Sequence, residues 1–587
     1  MLNDILMQVK RPSRYFGEEW NVCKKNFDGA KIKFALCFPD LYEVGMSNLG
    51  IRIIYWILNS IQDVVCERVF APDRDMEEIL RKNSLVLFSL ENKRGLKEFD
   101  LIGFSLGYEL NYTNILNILD LGAIPFYSRE RDFRYPLVIG GGPCVLNPEP
   151  LAEFFDFFVF GEGEEIILEI IELYRKYQSR FRGGQLSKED LLKEFSCIEG
   201  IYVPSLYKVE YNLDGGIEEF KPRIEGIPLK IKKRILPKLD NHFYPLDWLV
   251  PYSEIVHDRL CLEIMRGCPN QCHFCQARSQ YFPLRQRDFN GILNLATELY
   301  KRTGYEELCL LGLCVSDYPR IQELLEKLVD LFTDKGVSVS LPSITPKEYL
   351  ANLSFLIAAV KKSGLTFAPE AATERLRNLL GKFFDPEEFF RVLKEIYAIG
   401  YQRIKLYFMV GLPEETTEDL DAIIEFAHRA SWLRNEVQHR PAWINISVNT
   451  LIPKPHTPFQ WYRMIKLEEI ISKRNYLKNK IKKYQRLKLN FHNPYMSILE
   501  AVFSRGDRRL SRVILLAFRK GARFDAWEDG FNFSLWQEAF KEAALDYEFY
   551  LKERSKDEIL PWEFLDIGIS KDLLWRKFEK SICKIKR

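Results

Sequence analysis

The chain has 587 residues, of which 47% are hydrophobic and 28% charged, and its formal net charge is +2. This length exceeds what one hydrophobic core usually serves, so we expect three or more domains in a globular protein of ordinary composition. The near-neutral charge gives no global electrostatic reason to bind nucleic acid or an acidic membrane, although a local basic patch is compatible with it.

Residues 1–20 are polar and lack the apolar core of a secretory signal. No uncharged apolar run reaches the roughly 18–20 residues that a spanning helix needs, so we expect no membrane span and a cytoplasmic protein. Most of the twelve cysteines stand alone in apolar segments. In a reducing compartment, isolated cysteines of this kind are typically small buried hydrophobic residues.

The first third of the chain predicts a doubly wound parallel sheet. Short apolar runs alternate with segments of helical apolar spacing such as 48–59 and 111–121. Val-, Ile- and Phe-rich strands that alternate with helices indicate a parallel α/β sheet. The candidate strands are 31–38, 64–70, 100–105, 136–139 and 156–160.

A connecting region over 181–250 follows, with a short β segment at 201–211 and a hairpin turn at Asp214-Gly215-Gly216. The β/α alternation then resumes over 251–465, with helices at 320–332, 386–399 and 418–433. Six units predict a partial (β/α)6 barrel, whose chemistry belongs at the carboxyl ends of its strands. The six candidate strands are 260–265, 307–311, 338–341, 365–368, 403–409 and 445–450.

Residues 466–587 predict a basic helical C-terminal region. Residues 464–490 carry nine Lys or Arg against two Glu, and the segment 473–488 has apolar residues at helical spacing. One interpretation is a solvated helix face packed on the barrel. The other is a surface for RNA phosphates, which Arg505, Arg508 and Arg509 would extend unless they contact carboxylates.

One cysteine cluster departs from the isolated pattern. Cys268, Cys272 and Cys275 lie within eight residues, directly after the first barrel strand. Thiolates at this spacing select zinc or an iron–sulfur cluster. A structural zinc site needs a fourth ligand, and no second Cys-x-x-Cys exists to supply one. Three ligands leave one coordination position open, as a reaction centre requires.

The spacing Cys-x-x-x-Cys-x-x-Cys, with Phe274 before the last cysteine, resembles the signature of the radical S-adenosylmethionine (SAM) superfamily. The resemblance implies that the three cysteines ligate a [4Fe-4S] cluster and that SAM completes it. It also implies that reductive cleavage of SAM yields a 5′-deoxyadenosyl radical, with a one-electron donor of the flavodoxin or ferredoxin type as partner.

Three later segments resemble motifs of the same superfamily. The segment 364–376 is similar to the fourth-strand motif, which implies that Glu370 holds the SAM ribose and that Arg375 meets the SAM carboxylate. The segment 410–416, with Gly411 and Pro413, is similar to the fifth-strand turn whose backbone approaches the adenine. The usual Gly-Gly-Glu of the second strand is absent, and residues 313–317, with Ser316, occupy its place.

Residues 1–180 resemble the cobalamin-binding domain that precedes many radical SAM cores. The resemblance is carried by Pro39-Asp40, by 103–106 with Ser105, by 138–143 with Gly140 and Gly141, and by 156–164 with Gly161. Glycines after a strand allow backbone to approach a ligand beyond the strand ends. These residues are therefore expected to line a cofactor crevice.

The family's cobalt-ligating histidine is replaced by Tyr42, and a phenol is a poor cobalt ligand. Either cobalamin binds without a protein ligand below the cobalt, or the domain keeps the fold without the cofactor. Residues 42–50, 105–113, 453–461 and 505–510 together are similar to one family of cobalamin-domain radical SAM proteins, known by architecture and not by reaction.

The expected function is SAM cleavage at a [4Fe-4S] cluster to modify an unknown substrate, with cobalamin as a further cofactor and methyl transfer favoured. The alternatives are RNA thiolation or methylation without cobalamin, and a non-catalytic iron–sulfur or cobalamin sensor. Fold analogy does not choose among these outcomes.

Overall fold

The computed structural model of the protein describes residues 2–240, 242–340 and 365–585. The first sheet contains six strands in the order β2-β1-β3-β4-β5-β6, of which β1 to β5 are parallel and β6 is antiparallel to β5. This is the strand order of a doubly wound fold. The strands are β1 (Ile32–Phe38), β2 (Val64–Phe70), β3 (Leu101–Ser105), β4 (Leu137–Gly141), β5 (Phe157–Val159) and β6 (Ile201–Tyr202).

Helices surround this sheet and leave its central strands buried. Burial from both faces explains why the strands are mostly apolar; the buried Glu67 and Arg68 of β2 are exceptions. The five predicted parallel strands are confirmed, and a sixth, β6, comes from the segment that we expected to be a connection. The helices are Leu2–Leu6, Tyr42–Gly45, Leu49–Ser60, Arg74–Lys82, Tyr112–Leu121, Gly163–Arg182 and Lys188–Ser196.

The predicted hairpin is present as β7 (Tyr207–Tyr211) and β8 (Ile217–Pro222), which pair antiparallel on either side of Gly215. Another short strand, β9 (Ile231–Lys232), pairs in parallel with β19 (Leu565–Asp566) near the end of the chain. The connecting region is therefore anchored to the C-terminal region.

The barrel consists of a three-stranded and a four-stranded parallel sheet, in the orders β10-β13-β14 and β15-β16-β17-β18. A short antiparallel pair, β11 and β12, follows β10, and the helix Gln276–Gln280 lies between its two strands in the chain. The strands are β10 (Leu260–Glu263), β11 (Met265–Arg266), β12 (Arg285–Gln286), β13 (Glu307–Leu311), β14 (Ser338–Ser340), β15 (Leu365–Glu370), β16 (Arg403–Val410), β17 (Trp443–Thr450) and β18 (Leu487–Phe491).

All six predicted barrel strands are present, although Leu341, the last residue of the third predicted strand, lies outside the described residues. The helices on the outside of the sheets bury the alternate strand side chains in one core. The helices that contribute to this core are Phe289–Thr303, Ile321–Phe332, Pro386–Ala398, Thr417–Gln438 and Leu467–Ile481, and the shorter helices Gln276–Gln280 and Glu374–Leu380 follow β11 and β15.

The seventh barrel strand, β18, corrects the prediction that residues 473–488 are one helix. The helix ends at Ile481, and β18 pairs with β17 from Leu487 onward. Leu487, Leu489 and Phe491 alternate with polar residues, and this period of two fits a strand at the edge of a sheet.

The C-terminal region packs on the first sheet and shares its hydrophobic core. Trp536, Phe503 and Val513 of this region belong to the same buried cluster as Phe104 and Leu119. The region is mostly helical, as predicted. Its helices are Pro494–Arg505, Leu510–Arg519, Phe533–Glu542, Glu548–Leu551 and Lys571–Ile585. Within the described residues, no helix combines the length and apolarity needed to cross a bilayer.

Candidate functional site

The three cysteines lie in one loop, residues 267–284, which we call the cysteine loop. The antiparallel pair of β11 and β12 closes its base. Gly267 begins the loop with φ of +94°, and a Cβ there would lie 2.8 Å from Leu284 Cα and from Tyr281 O. Only glycine fits this close approach without strain.

Two arginines at the base of the cysteine loop bind carboxylates of the first domain. Arg285 donates to Glu162 Oε2 at 2.7 Å and to Oε1 at 2.8 Å. Arg266 donates to Glu164 Oε1 and to Glu263 Oε2, both at 2.8 Å. The side chains of both arginines and of the three glutamates are nearly buried. Burial opposes ionisation of Glu162, but the hydrogen bonds from Arg285 and the charge of Arg266 lower its pKa.

The thiols of the cysteine loop influence one another electrostatically. Burial raises the pKa of Cys272 to about 12; Lys382 opposes this rise, whereas Cys275 and Cys268 add to it. Burial also raises the pKa of Cys275, and Cys268 contributes. In the described residues, no group of three or more His, Cys, Asp or Glu side chains is already close enough together to hold a metal ion.

The donor set nevertheless fits an iron–sulfur cluster. Three thiols share a loop short enough to bring their sulfur atoms to one centre, and neighbouring thiolates repel until a cation compensates them. Cys268, Cys272 and Cys275 would therefore hold the cluster. A cluster bound there supplies the single electron that cleaves SAM. Its assignment to these residues stays a prediction.

The end of the second barrel strand reaches the cysteine loop through Asn270. The Asn270 amide lies 3.6 Å from Cys268 Sγ, and donates to Asp317 Oδ2 at 3.2 Å. Ser316 Oγ is 3.6 Å from Cys314 Sγ, whose thiol donates to Asp317 at 2.7 Å. Of residues 313–317 the sequence pattern favoured Ser316, whereas Asp317 makes the contacts with Asn270 and Cys314. Asp317 lies close to the place where the superfamily has a glutamate, and this position could have identified it from the sequence.

Glu370 ends β15 with φ of +66°, a conformation that non-glycine residues rarely adopt. A bulge between Phe367 and Glu370 precedes it. Burial raises the Glu370 pKa to about 7, and the charge of Lys382 opposes this. The charge of Glu370 contributes to the raised pKa of Cys272. The structure thus brings Glu370 towards the cysteine loop, as a SAM-binding role requires.

Arg375 is bound to other residues of the barrel domain. It forms an ion pair with the buried Asp419 and donates to the Glu414 carbonyl at 3.0 Å. Asp419 also accepts from Thr373 at 2.6 Å. Arg375 therefore holds the end of β15 against the turn after β16, and its contact with the SAM carboxylate stays a prediction.

Gly411 follows β16 with φ of +81°, and a Cβ there would lie 2.7 Å from Ile465 Cδ1. Its N–H donates to Glu415 Oε2 at 3.0 Å, and Lys473 Nζ lies 2.7 Å from the same oxygen. Pro413 lines a neighbouring cavity of about 430 Å³. Glycine is required here because the Ile465 side chain approaches the backbone closely. The turn that follows Gly411 borders the cavity lined by Pro413.

A cavity of about 520 Å³ lies between the cysteine loop, β15 and the C-terminal helix (Lys571–Ile585). Cys272, Ala368 and Lys382 line it, together with Lys577. The C-terminal helix also braces the loop: Lys577 donates to Gln271 at 2.8 Å, and Ser581 Oγ lies 2.9 Å from His273 Nδ1. Nothing in the sequence pattern indicated this brace, because the two segments are three hundred residues apart.

In the first domain, Tyr42 is buried in an ionic cluster. Its hydroxyl donates to Glu19 at 2.7 Å, and Arg68 donates to both oxygens of that carboxylate at 2.9 and 2.8 Å. Tyr42 is 2% exposed. Burial, with Glu19 adding, raises its pKa far above the ordinary value. The structure does not bring Tyr42 to an open cofactor crevice.

The crevice between the ends of β1 and β3 is filled by the chain itself. Trp527 of the C-terminal region donates to Asp40 Oδ1 at 2.9 Å, and Asn114 donates to the Pro39 carbonyl at 3.0 Å. Gly161 approaches Arg234, whose carbonyl oxygen would lie 2.2 Å from an added Cβ. Gly140 similarly abuts the ring of Phe158.

The mouth between β3 and β4 is more open. Ser105 and Gly141 are partly exposed and paired in register. A Cβ on Gly107 would meet nothing within 4 Å, and one on Gly141 would have its nearest contact at 3.8 Å. Backbone is therefore accessible to a ligand at this mouth, where two of the segments expected to line a cofactor crevice, 103–106 and 138–143, lie side by side.

Comparison with known families accords with this geometry. The model described as "Radical SAM proteins, N-terminal" matches residues 50–204, and the model "Radical SAM superfamily" matches residues 262–427, which include the cysteine loop and Glu370. Together they span more than half of the chain. The chain belongs to the radical SAM superfamily.

Relatives of this radical SAM protein include an uncharacterized protein of Methanocaldococcus jannaschii, 29% identical over 82% of this chain and 90% of that protein. A ribosomal protein uS12 methylthiotransferase of Pelotomaculum thermopropionicum is 27% identical over 47% of this chain and 63% of its own length. The solved structure of a Kitasatospora setae radical SAM methyltransferase, with cobalamin and a [4Fe-4S] cluster bound, shares the fold. Its TM-score is 0.50 at 13% identity, covering 87% of this chain and 99% of that chain.

Proposed function

We propose that this radical SAM protein is an enzyme that reductively cleaves SAM and uses the 5′-deoxyadenosyl radical on a substrate. One electron converts SAM to methionine and the radical, and abstraction of a substrate hydrogen gives 5′-deoxyadenosine. An external donor of the flavodoxin or ferredoxin type supplies the electron. Methyl transfer is the favoured outcome, because cobalamin and methyltransferase chemistry occur in a protein of the same fold.

The cysteine loop carries the proposal. Cys268, Cys272 and Cys275 lie in a loop that β11 and β12 close and that Glu162 fixes through Arg285. Glu370 is held beside this loop in an unusual backbone conformation. A scaffold of this kind supports a cluster whose remaining coordination position accepts SAM, with the Glu370 carboxylate as acceptor for the ribose hydroxyls.

The test is anaerobic reconstitution with iron and sulfide, reduction, and quantification of 5′-deoxyadenosine by mass spectrometry. Wild-type protein is expected to form it in a SAM-dependent manner. Cys272→Ala should lose both the product and the cluster absorbance near 400 nm, whereas Cys583→Ala, an exposed cysteine of the C-terminal helix, should retain both. A wild-type protein that holds the cluster but forms no 5′-deoxyadenosine would favour a sensor.

We further propose that cobalamin binds over the mouth of β3 and β4. The accessible backbone at Gly107 and Gly141 supports this placement. Since Tyr42 is buried against Glu19, the cobalt would have no protein ligand from the loop after β1. Hydroxocobalamin should remain with the protein after desalting, and Gly141→Trp should reduce its retention. Complete release from the wild type would contradict this part of the proposal.

A further inference from the structure

The inner face of the four-stranded barrel sheet carries positive charge at the amino-terminal end of its strands. Along β16, Ile404 and Leu406 are buried among the outer helices, so Lys405 and Tyr407 lie on the opposite face. Along β17, Trp443 and Asn445 share that face, because Ile444 and Ile446 are buried. This face is the lumen of the barrel.

Register places the charged residues in adjacent rows. Arg403 is paired with Trp443, and Asn445 is paired with Lys405 on one side and Lys488 on the other. Strands lie about 4.8 Å apart, so the backbones of Lys405 and Lys488 are separated by roughly 10 Å. The long side chains of two lysines whose backbones are this far apart can bring their ammonium groups to one phosphate or to two successive phosphates.

These cations lack compensating charge. Arg403, Lys405, Arg486 and Lys488 form no ion pair within the described part of the chain, whereas Lys473 and Lys480 of the neighbouring helix pair with Glu415 and Asp421. Glu370 is the single carboxylate in β15 to β18, and it lies at their carboxyl end. Uncompensated charge of one sign on a concave surface favours an anionic ligand.

An aromatic surface accompanies the charge. Trp443 is 44% exposed, and the Arg486 guanidinium lies 4.7 Å from the centre of its ring. Lys405 Nζ donates to the Tyr407 hydroxyl at 2.6 Å, which holds the ammonium on the lumen face. Exposed aromatic rings among lysines and arginines are typical of surfaces that stack bases and contact phosphates.

We infer that this wall binds a nucleotide unit of the substrate, with phosphate at Lys405 and Lys488 and the base on Trp443. The inference rests on the proposed function, since it names the substrate class of the same lumen. Glu370 is paired in register with Phe408, three residues along β16 from Lys405, which is about 10 Å at 3.3 Å per residue. A ligand as long as one nucleotide therefore reaches from this wall to the cysteine-loop end.

The experiment is a fluorescence-anisotropy titration of a short, labelled single-stranded RNA with the full-length reconstituted protein at several salt concentrations. Lys405→Gln/Lys488→Gln should weaken binding at least tenfold and lower the salt dependence by about 1.4 in log–log slope, at roughly 0.7 per phosphate contact. Lys478→Gln, an exposed lysine of the neighbouring helix, should change affinity less than twofold. Trp443→Ala should weaken binding about tenfold, and Trp443→Phe should retain most of it.

Competition identifies the source of the nucleotide. Full displacement of the RNA by adenosine 5′-monophosphate supports a mononucleotide substrate, and failure to displace it supports a polynucleotide. Three results would overturn the inference. The protein binds neither the RNA nor the mononucleotide, or inorganic phosphate displaces the RNA as effectively as the nucleotide does, or Lys478→Gln weakens binding as much as Lys405→Gln/Lys488→Gln. Formation of 5′-deoxyadenosine is measured on the same preparation without RNA. If no 5′-deoxyadenosine forms, the proposed function is contradicted, and the RNA-binding result is interpreted separately.

Discussion

Glu162 accepts two hydrogen bonds from the Arg285 guanidinium, at 2.7 and 2.8 Å, across the boundary between the first domain and the barrel. Glu162 also lies 3.4 Å from Arg266, two residues before Cys268. Glu162, three residues after the end of β5, thus holds the base of the cysteine loop against the first domain.

Glu162→Gln should destabilise this boundary. The amide keeps the size of the side chain but removes the charge that compensates two nearly buried arginines, a change that costs about 3 kcal/mol. Chemical denaturation and iron content after desalting measure the effect. Glu165→Gln, which removes a partly exposed partner of Arg234, should cost under about 0.5 kcal/mol. Equal losses in the two variants would contradict a special role for Glu162.

Glu370 makes the stability of the barrel depend on pH. Because its folded-state pKa of about 7 exceeds the ordinary value of 4.5, the folded state binds more protons than the unfolded state between these values. The stabilising contribution of Glu370 is therefore fully present below about pH 4.5 and is lost as the pH rises through about 7, by roughly 3 kcal/mol.

Glu370→Gln cannot ionise and should lack this dependence. The free energies of unfolding of wild type and variant, measured in urea at pH 5 and pH 8, should diverge in favour of the variant at the higher pH. Glu374→Gln, an exposed residue of the next helix, should follow the wild type at both values. A constant difference between wild type and Glu370→Gln would show that Glu370 is not protonated in the folded protein near neutrality.

Ser581 should influence the cluster although it does not contact it. Ser581→Ala removes the hydroxyl 2.9 Å from His273 Nδ1, at a cost of about 1 kcal/mol. Looser support of His273, which adjoins Cys272, should shift the electron paramagnetic resonance signal of the reduced cluster. Cys583→Ser, an exposed change in the same helix, serves as control. An unchanged signal in Ser581→Ala would mean that the helix only covers the loop.

Trp527 should stabilise the junction between the first and C-terminal regions. Trp527→Phe leaves Asp40 without its hydrogen bond from the indole N–H, and the cost expected is about 1–2 kcal/mol. Trp432→Phe, at a position that is 52% exposed, should change stability by under about 0.5 kcal/mol. Thermal unfolding compares the two, and equal shifts would exclude a structural role for the Trp527 bond.

Local patterns predicted most of the fold. The parallel strands of both domains were recognisable because strands buried on both faces must be apolar and short, and glycine or proline bounds them. The error at β18 arose because Arg486 and Lys488 continue the basic run of the preceding helix, and a run of basic residues resembles a solvated helix when the neighbouring strand is not known. Arg508, considered for an RNA surface, instead donates to the buried Glu149 at 2.9 Å.

The superfamily was recognisable from its cysteine motif, and the cysteine loop was evident because three thiols within eight residues constrain the chemistry wherever the loop lies. The sequence also indicated Gly411 as a position of close backbone approach, and the structure gives this residue a φ of +81°. Long-range packing places Tyr42 against Glu19 and Trp527 in the first crevice. It alone brought Glu162 to Arg285 and the C-terminal helix to His273. These contacts join residues far apart in the chain, and their formation depends on packing between domains, which no local pattern encodes.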